Sequence, residues 1–436
     1  MRILLVIPGT GDFYCGACIR DTALVRALRR FGHEVIFQPL YLPLLTDEPD
    51  IEDHTSILFG GINVYLQQKS ALFRKTPRCI DRFFDAHWLL DFSARRAAMT
   101  KSSELGEMTV SMLAGEEGRQ AKELNRFAQW LQNQQRPDVV ILSTGMLLGL
   151  AKVISRDLGF PLVCTLQGED GFLDALPEPY QSEAWRLFTS SQEYVDAFIP
   201  VSYYYADVMK QRMNLHPDNC IVIQNGISLD GYGDPASRPE TPTLGYLARM
   251  CPVKGLDTLI EAFLHLKKKP EFQSLKLKVA GTMTHADRPF VDEMKKRLAE
   301  AGVLSDASFL PNISRNEKIE FLKSLSVLSV PATYGEAFGL YVIESMAAGV
   351  PVVQPRHGGF SEIIDRTEGG VLYEADDMNE YISTLSELLS QPGKAHEMGM
   401  RGRDSVHDYF HVDRMAQETL QILERVRRSG QPRPSL

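Results

Sequence analysis

The sequence predicts an α/β protein of two Rossmann-like, doubly wound domains that face each other across a cleft. Three observations predict this fold class. The length of 436 residues suits two domains of ordinary size. Short apolar runs alternate with segments of helical periodicity, which is typical of a parallel sheet buried on both faces. This alternation stops at GYGDPASRPETPT (231–243), a stretch rich in Gly, Pro, Ser and Thr, and then starts again.

The first domain, 1–235, opens with a β-loop-α-β unit. RILLVIP is predicted to be a strand, and GTGDFYCGAC a glycine-rich loop. The helix that follows carries apolar residues at helical spacing, namely Leu24, Ala27, Leu28 and Phe31. An insertion is expected at about 50–130. Further strands are predicted at HEVIFQPL (33–40), PDVVILS (137–143), PLVCTL (161–166), DAFIPVS (196–202) and CIVIQNG (220–226), with helices such as GLAKVISRDLG between them.

The second domain, 240–405, repeats this construction. Its predicted strands are LGYLA, LKLKVAG, ASFLP, VLSVPA, VPVVQP and GGVLYE, and its predicted helices include GLDTLIEAFLHLKKK, PFVDEMKKRLAEAG and NEKIEFLKSL. Residues 406–436 are predicted to form a helix that crosses back to the first domain, followed by a flexible tail. The amphipathic pattern of DRMAQETLQILERV is consistent with such docking.

Composition limits the classes of function. The net charge of -9 argues against nucleic acid as a partner. The six cysteines do not form a disulfide framework, which favours a reducing, cytoplasmic location. No apolar run approaches the length of a membrane span, and the short run at the N-terminus is interpreted as a strand and not as a signal peptide.

The segment 66–101 differs from the rest of the chain because it is basic and its charges are interleaved with aromatic residues. One interpretation is an insertion whose aromatic side chains pack on the first domain. The other is a site for an anionic acceptor, or a peripheral contact with the inner face of a membrane.

Two carboxylates flank a predicted helix start in YGEAFGLYVIESMAAGVPVV (334–353). Glu336 follows a strand, and ligands of open α/β sheets bind at the carboxyl ends of strands. The backbone N–H groups of 339–341 begin the helix and can bind an anion, and Gly339 lets a phosphate approach closely. Glu344, inside the helix, can accept hydrogen bonds from ribose hydroxyls. The pair therefore predicts a site for a phosphate with a polyhydroxyl group at either end.

A second motif, GYLARMCPVKGLDTLIEAF (245–263), places Arg249 and Lys254 between a strand and a helix. Arg supplies a planar set of donors and Lys a point charge. Both can stabilise the negative charge that grows on a leaving nucleoside diphosphate.

Several segments resemble the family 4 glycosyltransferases of the GT-B fold. EAFGLYVIE matches the E-x7-E signature of that family, and LARMCPVKG matches its Arg…Lys diphosphate loop. VIQNGISLD, HGGFSEII and the region GDFYCGAC…LVRALRRFGHEV are also similar. The resemblance spans about 1–410 and is strongest over 244–374.

The resemblance implies a role for each matching residue. Glu336 would contact the donor sugar near the reacting carbon, Glu344 would hold the ribose, and Arg249 with Lys254 would bind the diphosphate. The remaining donor-binding positions would be Gly16, which approaches the phosphates when the domains close, and the backbone at Phe338, Gly339 and Leu340. The family transfers sugars with retention and without a metal or other cofactor, and a UDP- or GDP-sugar is the expected donor.

One position departs from the family pattern. Many members carry His-Gly where this chain has Gln167-Gly168, and Gln cannot titrate near neutral pH. Gln167 and Glu169 are candidate contacts to the acceptor or sugar, although Glu169 and Asp170 could also form a solvated turn.

Three further positions have two interpretations each. Cys15 and Cys18 are read as loop and packing residues, with a redox or metal role as the alternative, since no second Cys pair lies at zinc spacing. His357 is read as a structural loop residue or as a neighbour of the nucleotide. Asn225 is read as a turn former at a domain edge.

The function expected is therefore a retaining, metal-independent glycosyltransferase with an unidentified glycan, lipid or small-molecule acceptor. Three alternatives stay open: a glucan polymerase similar to starch or glycogen synthase, a GT-B nucleotide-sugar 2-epimerase, and a non-catalytic sugar-binding protein. The intact set Glu336, Arg249 and Lys254 argues against the last of these.

Overall fold

The computed structural model describes residues 1–9, 16–41, 59, 67–68, 102–235, 237 and 239–429. The basic segment 66–101, apart from 67–68, and Cys15 lie outside the described residues. The chain divides into two compact units, Met1–Gln224 with Met415–Leu436, and Asn225–Arg414. The predicted class, two doubly wound α/β domains with parallel sheets, is confirmed for these two units.

The first unit contains a five-stranded parallel sheet in the order β2-β1-β3-β4-β5. Three of its strands are buried at every position and a fourth at every position but Arg2, as their continuous apolar sequences predict. The strands are β1 (Arg2–Ile7), β2 (Glu34–Pro39), β3 (Val139–Leu142), β4 (Leu162–Leu166) and β5 (Ala197–Pro200), and the described helices are α1 (Gly16–Arg30), α2 (Ser102–Leu113), α3 (Ala121–Asn133), α4 (Asp170–Asp174), α5 (Tyr180–Ser190) and α6 (Tyr203–Met213).

Two predicted elements of this unit differ in detail from the structure. The helix predicted at GLAKVISRDLG (149–159) is helical from 149 to 157 but of mixed type: it begins at the end of a 3-10 segment, Gly145–Leu150, and ends in a single π-helical turn, Val153–Asp157. A β-carbon on Gly145 would lie 2.1 Å from the Phe188 ring, so the 3-10 segment that precedes this helix packs closely on α5. The strand predicted at 220–226 is extended but forms only one bridge, between Phe198 and Cys220.

The second unit contains a six-stranded parallel sheet in the order β11-β10-β9-β6-β7-β8. Its strands are β6 (Thr243–Leu247), β7 (Lys276–Gly281), β8 (Ala307–Pro311), β9 (Val327–Ser329), β10 (Val352–Pro355) and β11 (Gly370–Tyr373), and its helices are α7 (Leu256–Lys267), α8 (Arg288–Glu300), α9 (Arg315–Lys323), α10 (Leu340–Ala347), α11 (Phe360–Thr367), α12 (Met378–Ser390) and α13 (Pro392–Tyr409). The last helix is α14 (Val412–Ser429). The boundary between Arg414 of the second unit and Met415 of the first lies inside it.

Strand β9 is shorter than the predicted VLSVPA. After Ser329 the backbone leaves the ladder, because the Val330 N–H donates to the side-chain oxygen of Gln354 at 3.3 Å and Pro331 has no N–H to donate. The nine residues from 331 to 339 are thereby released into a loop at the carboxyl edge of the sheet, and α10 starts at Leu340 as predicted.

The units divide about ten residues away from the predicted boundaries. Ile221 and Ile223 still donate to the backbone of β5, at 2.9 and 3.2 Å, so 220–224 stays with the first unit. Ile227 instead exchanges hydrogen bonds with Phe410 and Val412 and belongs to the second unit. In the part of the chain that is described, no helix is both long and apolar enough to cross a bilayer.

Candidate functional site

The carboxyl ends of β6 and β9 bring the two predicted motifs together. These strands are neighbours in the second sheet, with Leu244 opposite Val327. The loop after β6 carries Arg249 and Lys254, and the loop after β9 carries Glu336. Both loops lie at the edge where open α/β sheets bind ligands.

Lys254 and Glu336 form an ion pair whose side chains are 18% and 14% exposed. Two tyrosines complete the cluster. Lys254 donates to Oε2 of Glu336 and also to the hydroxyl of Tyr334. The Tyr341 hydroxyl donates to the same Oε2 atom at 3.1 Å. Four polar side chains from two loops and the first turn of α10 therefore meet at one point.

The electrostatics of the cluster fix the protonation of its lysine and its two tyrosines near neutral pH. Burial alone lowers the pKa of Lys254, but the Glu336 carboxylate and the Tyr334 hydroxyl together raise it above its ordinary value. Burial and the Glu336 carboxylate raise the pKa of Tyr334 to about 12. Burial also raises the pKa of Tyr341 well above its ordinary value. Lys254 is consequently cationic, and both phenols keep the protons that they donate.

Two glycines allow close packing of the backbone at this edge of the sheet. Gly255 has φ = +72°, and a β-carbon there would lie 1.8 Å from the Pro331 carbonyl oxygen. Gly339 has φ = +93°, and a β-carbon there would lie 2.7 Å from the Phe360 ring. No residue with a side chain fits either position without displacing its neighbour.

The backbone from Phe338 to Leu340 forms the start of α10. The Phe338 side chain is buried and packs edge-on against Phe410, with centroids 6.1 Å apart, so only its backbone is presented at the sheet edge. The N–H groups in the first turn of a helix have no intrahelical acceptors, and this favours an anion beside Gly339 and Leu340. The Gly359 N–H donates to the Glu336 carbonyl oxygen at 2.8 Å and so supports the loop from behind.

Arg249 is held by an acidic partner that the sequence did not indicate. Its Nε and Nη2 atoms lie 3.0 to 3.2 Å from the carboxylate oxygens of Asp287. Burial raises the pKa of Asp287, but hydrogen bonds from Arg249 and Thr284 outweigh it and hold this pKa below its ordinary value. About half of the Arg249 side chain is still exposed, so the guanidinium can also reach a ligand.

Glu344 also has a protein partner. Lys318 of α9 donates to its Oε1 atom at 2.7 Å, and both side chains are nearly buried. The predicted ribose contact is therefore already neutralised by a cation.

His357 lies behind the site. Its Nε2 atom is 2.9 Å from the Ala332 carbonyl oxygen, and its ring is 5.9 Å from that of Phe360. These contacts join the loop after β10 to the loop after β9 and favour the structural interpretation of this residue.

In the first unit, Gln167 follows β4 and is partly exposed. Its Nε2 atom donates to the Ser143 carbonyl oxygen at 2.5 Å, and because a carbonyl can only accept, this contact orients the amide. Asp21 of α1 is a further neighbour, in a buried ion pair with Arg20 at 2.7 Å. Burial raises the pKa of Asp21, and Arg20, Ser143 and Gln167 offset part of this effect.

Glu169 is buried, so its interpretation as part of a solvated turn was wrong. Its Oε1 atom accepts from the Thr144 hydroxyl and the Gly145 N–H, at 2.7 and 2.9 Å. Its Oε2 atom accepts from the N–H groups of Gln167 and Gly168 and from the Tyr205 hydroxyl, at 2.8 to 3.1 Å. Five protein donors therefore occupy this carboxylate, which orders the loop that carries Gln167.

Gly16 is exposed and is the first residue of α1. Its predicted contact with a phosphate stays a prediction. Cys18 is a buried residue of the same helix. Cys164, Cys220 and Cys251, in other parts of the chain, are also buried. Asn225 is the first residue of the second unit and is buried.

The sequence analysis missed Tyr334, Tyr341, Asp287 and Lys318. Tyr341 had a usable signal, because it lies in the first turn of the predicted helix and five residues after Glu336. Lys318 also had one, since it precedes the buried Phe321 and Leu322 by three and four residues and so lies on the buried face of α9. Asp287 had none, because its distance to Arg249 depends on the loop after β7.

Two family models match this chain. The model described as "Glycosyl transferases group 1" matches residues 234–405, and the model described as "Glycosyltransferase Family 4" matches residues 107–230. Together these ranges cover more than half of the chain.

Curated relatives are similar over part of their length. A D-inositol 3-phosphate glycosyltransferase of Nocardia farcinica (strain IFM 10152) is 26% identical over 42% of this chain and 43% of its own. A GDP-mannose-dependent alpha-(1-6)-phosphatidylinositol monomannoside mannosyltransferase of Mycobacterium tuberculosis (strain CDC 1551 / Oshkosh) is 26% identical over 45% of this chain and 54% of its own. The chain thus spans about half the length of the curated relatives it matches.

Solved structures match over almost the whole chain and support the fold alone. Sucrose-phosphate synthase from Thermosynechococcus elongatus superposes with a TM-score of 0.72 at 18% identity, covering 98% of this chain and 99% of its own. Anabaena Alr3699/HepE in complex with UDP superposes with a TM-score of 0.67 at 16% identity, covering 98% and 100%.

Proposed function

Because the chain belongs to the family 4 glycosyltransferases of the GT-B fold, we propose that it transfers a sugar from a nucleoside diphosphate sugar to an acceptor hydroxyl. The observation that carries the proposal is the cluster of Lys254, Glu336, Tyr334 and Tyr341 beside the start of α10. It combines a fixed cation, a carboxylate and a helix N-terminus within one sheet edge.

The cations would neutralise the diphosphate, so that transfer requires no metal ion. Lys254 supplies a point charge that Glu336 and the Tyr334 hydroxyl hold in place. Arg249 uses Nε and Nη2 for Asp287, and its half-exposed guanidinium leaves Nη1 for a phosphate oxygen. Positive groups that are oriented before the reaction stabilise the charge of the leaving group most effectively.

Glu336 would bind hydroxyl groups of the transferred sugar, and Glu344 would bind the ribose. The carboxylate of Glu336 takes all its protein donors on Oε2, which leaves Oε1 for a sugar hydroxyl among the contacts that the structure describes. The backbone of Phe338, Gly339 and Leu340 would line the phosphate and sugar site.

For the reaction we propose front-face transfer with retention. The bond between the anomeric carbon and the phosphate oxygen breaks, and a bond to the acceptor oxygen forms on the same face. The acceptor proton passes to the leaving phosphate oxygen. No protein nucleophile is required, and the protein contributes positioning and charge stabilisation.

A UDP- or GDP-sugar is the donor that we propose. One solved relative is described in complex with UDP, and one curated relative is named as GDP-mannose-dependent. For the acceptor we propose a glycan, a lipid or a small molecule; the names of two curated relatives contain an inositol phosphate and a phosphatidylinositol mannoside. Gln167 would meet the acceptor or sugar with its amide oxygen, because its Nε2 atom faces the Ser143 carbonyl.

The test is thermal unfolding with UDP, GDP or ADP, for wild type and for Glu344→Ala. A nucleotide that binds only the folded state raises the free energy of unfolding by about 2.7 kcal/mol when its concentration is a hundred times its dissociation constant. We expect one nucleotide to raise the melting temperature of wild type and not of Glu344→Ala. Glu320→Ala, which removes an exposed carboxylate of α9, should respond as wild type does. No shift with any of the three would reject the proposed donor site.

A further inference from the structure

Lys318 and Glu344 form an ion pair between two adjacent helices at the proposed nucleoside site. Nζ of Lys318 lies 2.7 Å from Oε1 of Glu344, and the side chains are 11% and 9% exposed. A charge so far removed from water is costly unless it is paired, so each residue constrains the other.

The pair leaves the two oxygens of Glu344 in different states. Oε1 accepts from Lys318. Within the described ranges, no protein donor is recorded for Oε2, and the side chain keeps a small exposed surface. To accept one ribose hydroxyl on each oxygen, a carboxylate must turn both oxygens toward the ribose. Here Oε1 is turned toward Lys318, so Oε2 is the oxygen left to face a ligand.

The position of Lys318 is fixed by its helix. The Lys318 N–H donates to the Ser314 carbonyl oxygen at 2.8 Å, and Ser314 and Glu317 form a capping box. The neighbouring Ile319 is buried, and so are the other residues of the same face, Phe321 and Leu322. A site residue that is supported by packing and by a cap holds its partner in a defined geometry.

We propose that Lys318 is a positioning residue for nucleoside recognition. It holds Glu344 so that one carboxylate oxygen accepts from one ribose hydroxyl, and the two ribose hydroxyls therefore contribute unequally to binding. This inference rests on the proposed function, because it requires a ribose at Glu344.

The experiment uses whichever of UDP, GDP and ADP binds wild type most tightly, together with its 2′-deoxy and 3′-deoxy forms. Dissociation constants are measured by calorimetry. For wild type we expect one deoxy form to bind about tenfold more weakly and the other to bind almost as the ribonucleotide does. Lys318→Met should weaken binding and bring the two deoxy forms within about twofold of each other, because Oε1 is released. Lys318→Arg should restore the inequality, because Arg also pairs with a carboxylate.

Lys323→Met is the matched control, since it removes a cation from the same helix and leaves Glu344 paired. It should keep the wild-type inequality. If Lys318→Met does not fold, Lys318→Gln replaces it, because Gln is polar but one atom too short to hold Oε1. Two outcomes would overturn the role of Lys318 and leave the proposed function standing. One is an equal loss of affinity for the two deoxy forms in wild type. The other is an unchanged difference between their affinities in Lys318→Met or Lys318→Gln. Absence of binding to wild type would overturn the proposed function as well.

Discussion

Lys254 forms an ion pair with Glu336, although the two residues are 82 positions apart in the chain. The contact exists because β6 and β9 are neighbours, so that their following loops leave the sheet side by side. It joins the cationic loop to the helix start and gives the proposed site both signs of charge.

The ion pair predicts different defects for its two members. Lys254→Met removes the charge that would bind the diphosphate, so nucleotide affinity and transfer should both fall, with transfer lower by about a hundredfold or more. Glu336→Gln keeps Lys254 charged, so it should bind the nucleotide normally but transfer the sugar slowly. Calorimetry with the nucleotide and the rate of nucleotide release from the donor sugar check this. Equal effects of the two variants on nucleotide binding would contradict the assignment.

The backbone conformation at Gly339 predicts that any side chain at this position destabilises the folded protein. Gly339→Ala places a β-carbon at φ = +93° and 2.7 Å from the Phe360 ring. We expect a loss of about 1–3 kcal/mol in the free energy of unfolding and weaker nucleotide binding, because the start of α10 must shift. Urea unfolding measures the loss. Gly393→Ala is the control, because a β-carbon there meets no atom within 4 Å, and it should cost nothing.

The network around Glu169 predicts a structural defect that also reaches Gln167. Glu169→Gln replaces one accepting oxygen by an NH2 group, which cannot accept from the donors that surround it. The variant should lose about 1.5–3 kcal/mol of unfolding free energy. Glu117→Gln, at an exposed position in the same unit, should lose none. Equal stability of the two variants in denaturant would show that the five hydrogen bonds contribute little.

Asp287 predicts a dependence of stability on pH. Its pKa is lower in the folded protein than in the unfolded chain, so its contribution is complete above the unfolded value of about 4 and is lost as the pH falls through the folded value. At pH 7 the free energy of unfolding of wild type should exceed that of Asp287→Asn by on the order of 1 kcal/mol. The difference is no larger because solvent screens the charge of the half-exposed Arg249.

Urea unfolding at pH 7 and pH 3 measures this difference, which should shrink at the lower pH. Asp292→Asn, at an exposed position of α8, should match wild type at both values. A difference between wild type and Asp287→Asn that persists at pH 3 would exclude the ionised pair as its cause.

The sequence predicted the fold because its signals are local. Apolar runs specify buried strands, and the start of α10 was predicted correctly since Gly339 is a local feature of the backbone. Two predictions were right only in part. The predicted helix 149–159 has mixed 3-10 and π geometry, and 220–226 lies beside β5, with hydrogen bonds from Ile221 and Ile223, but forms a bridge only at Cys220.

The sequence by itself determined the residue types of the proposed site: the cations Arg249 and Lys254 after one strand, and the carboxylates Glu336 and Glu344 around a helix start. Only the tertiary structure decided which charges meet. Lys254 pairs with Glu336, while Arg249 and Glu344 take partners from other loops and helices. The reason is physical: charge and helix propensity are properties of the local sequence, whereas the distance between two charges depends on strand order and on the packing of the loops at the sheet edge.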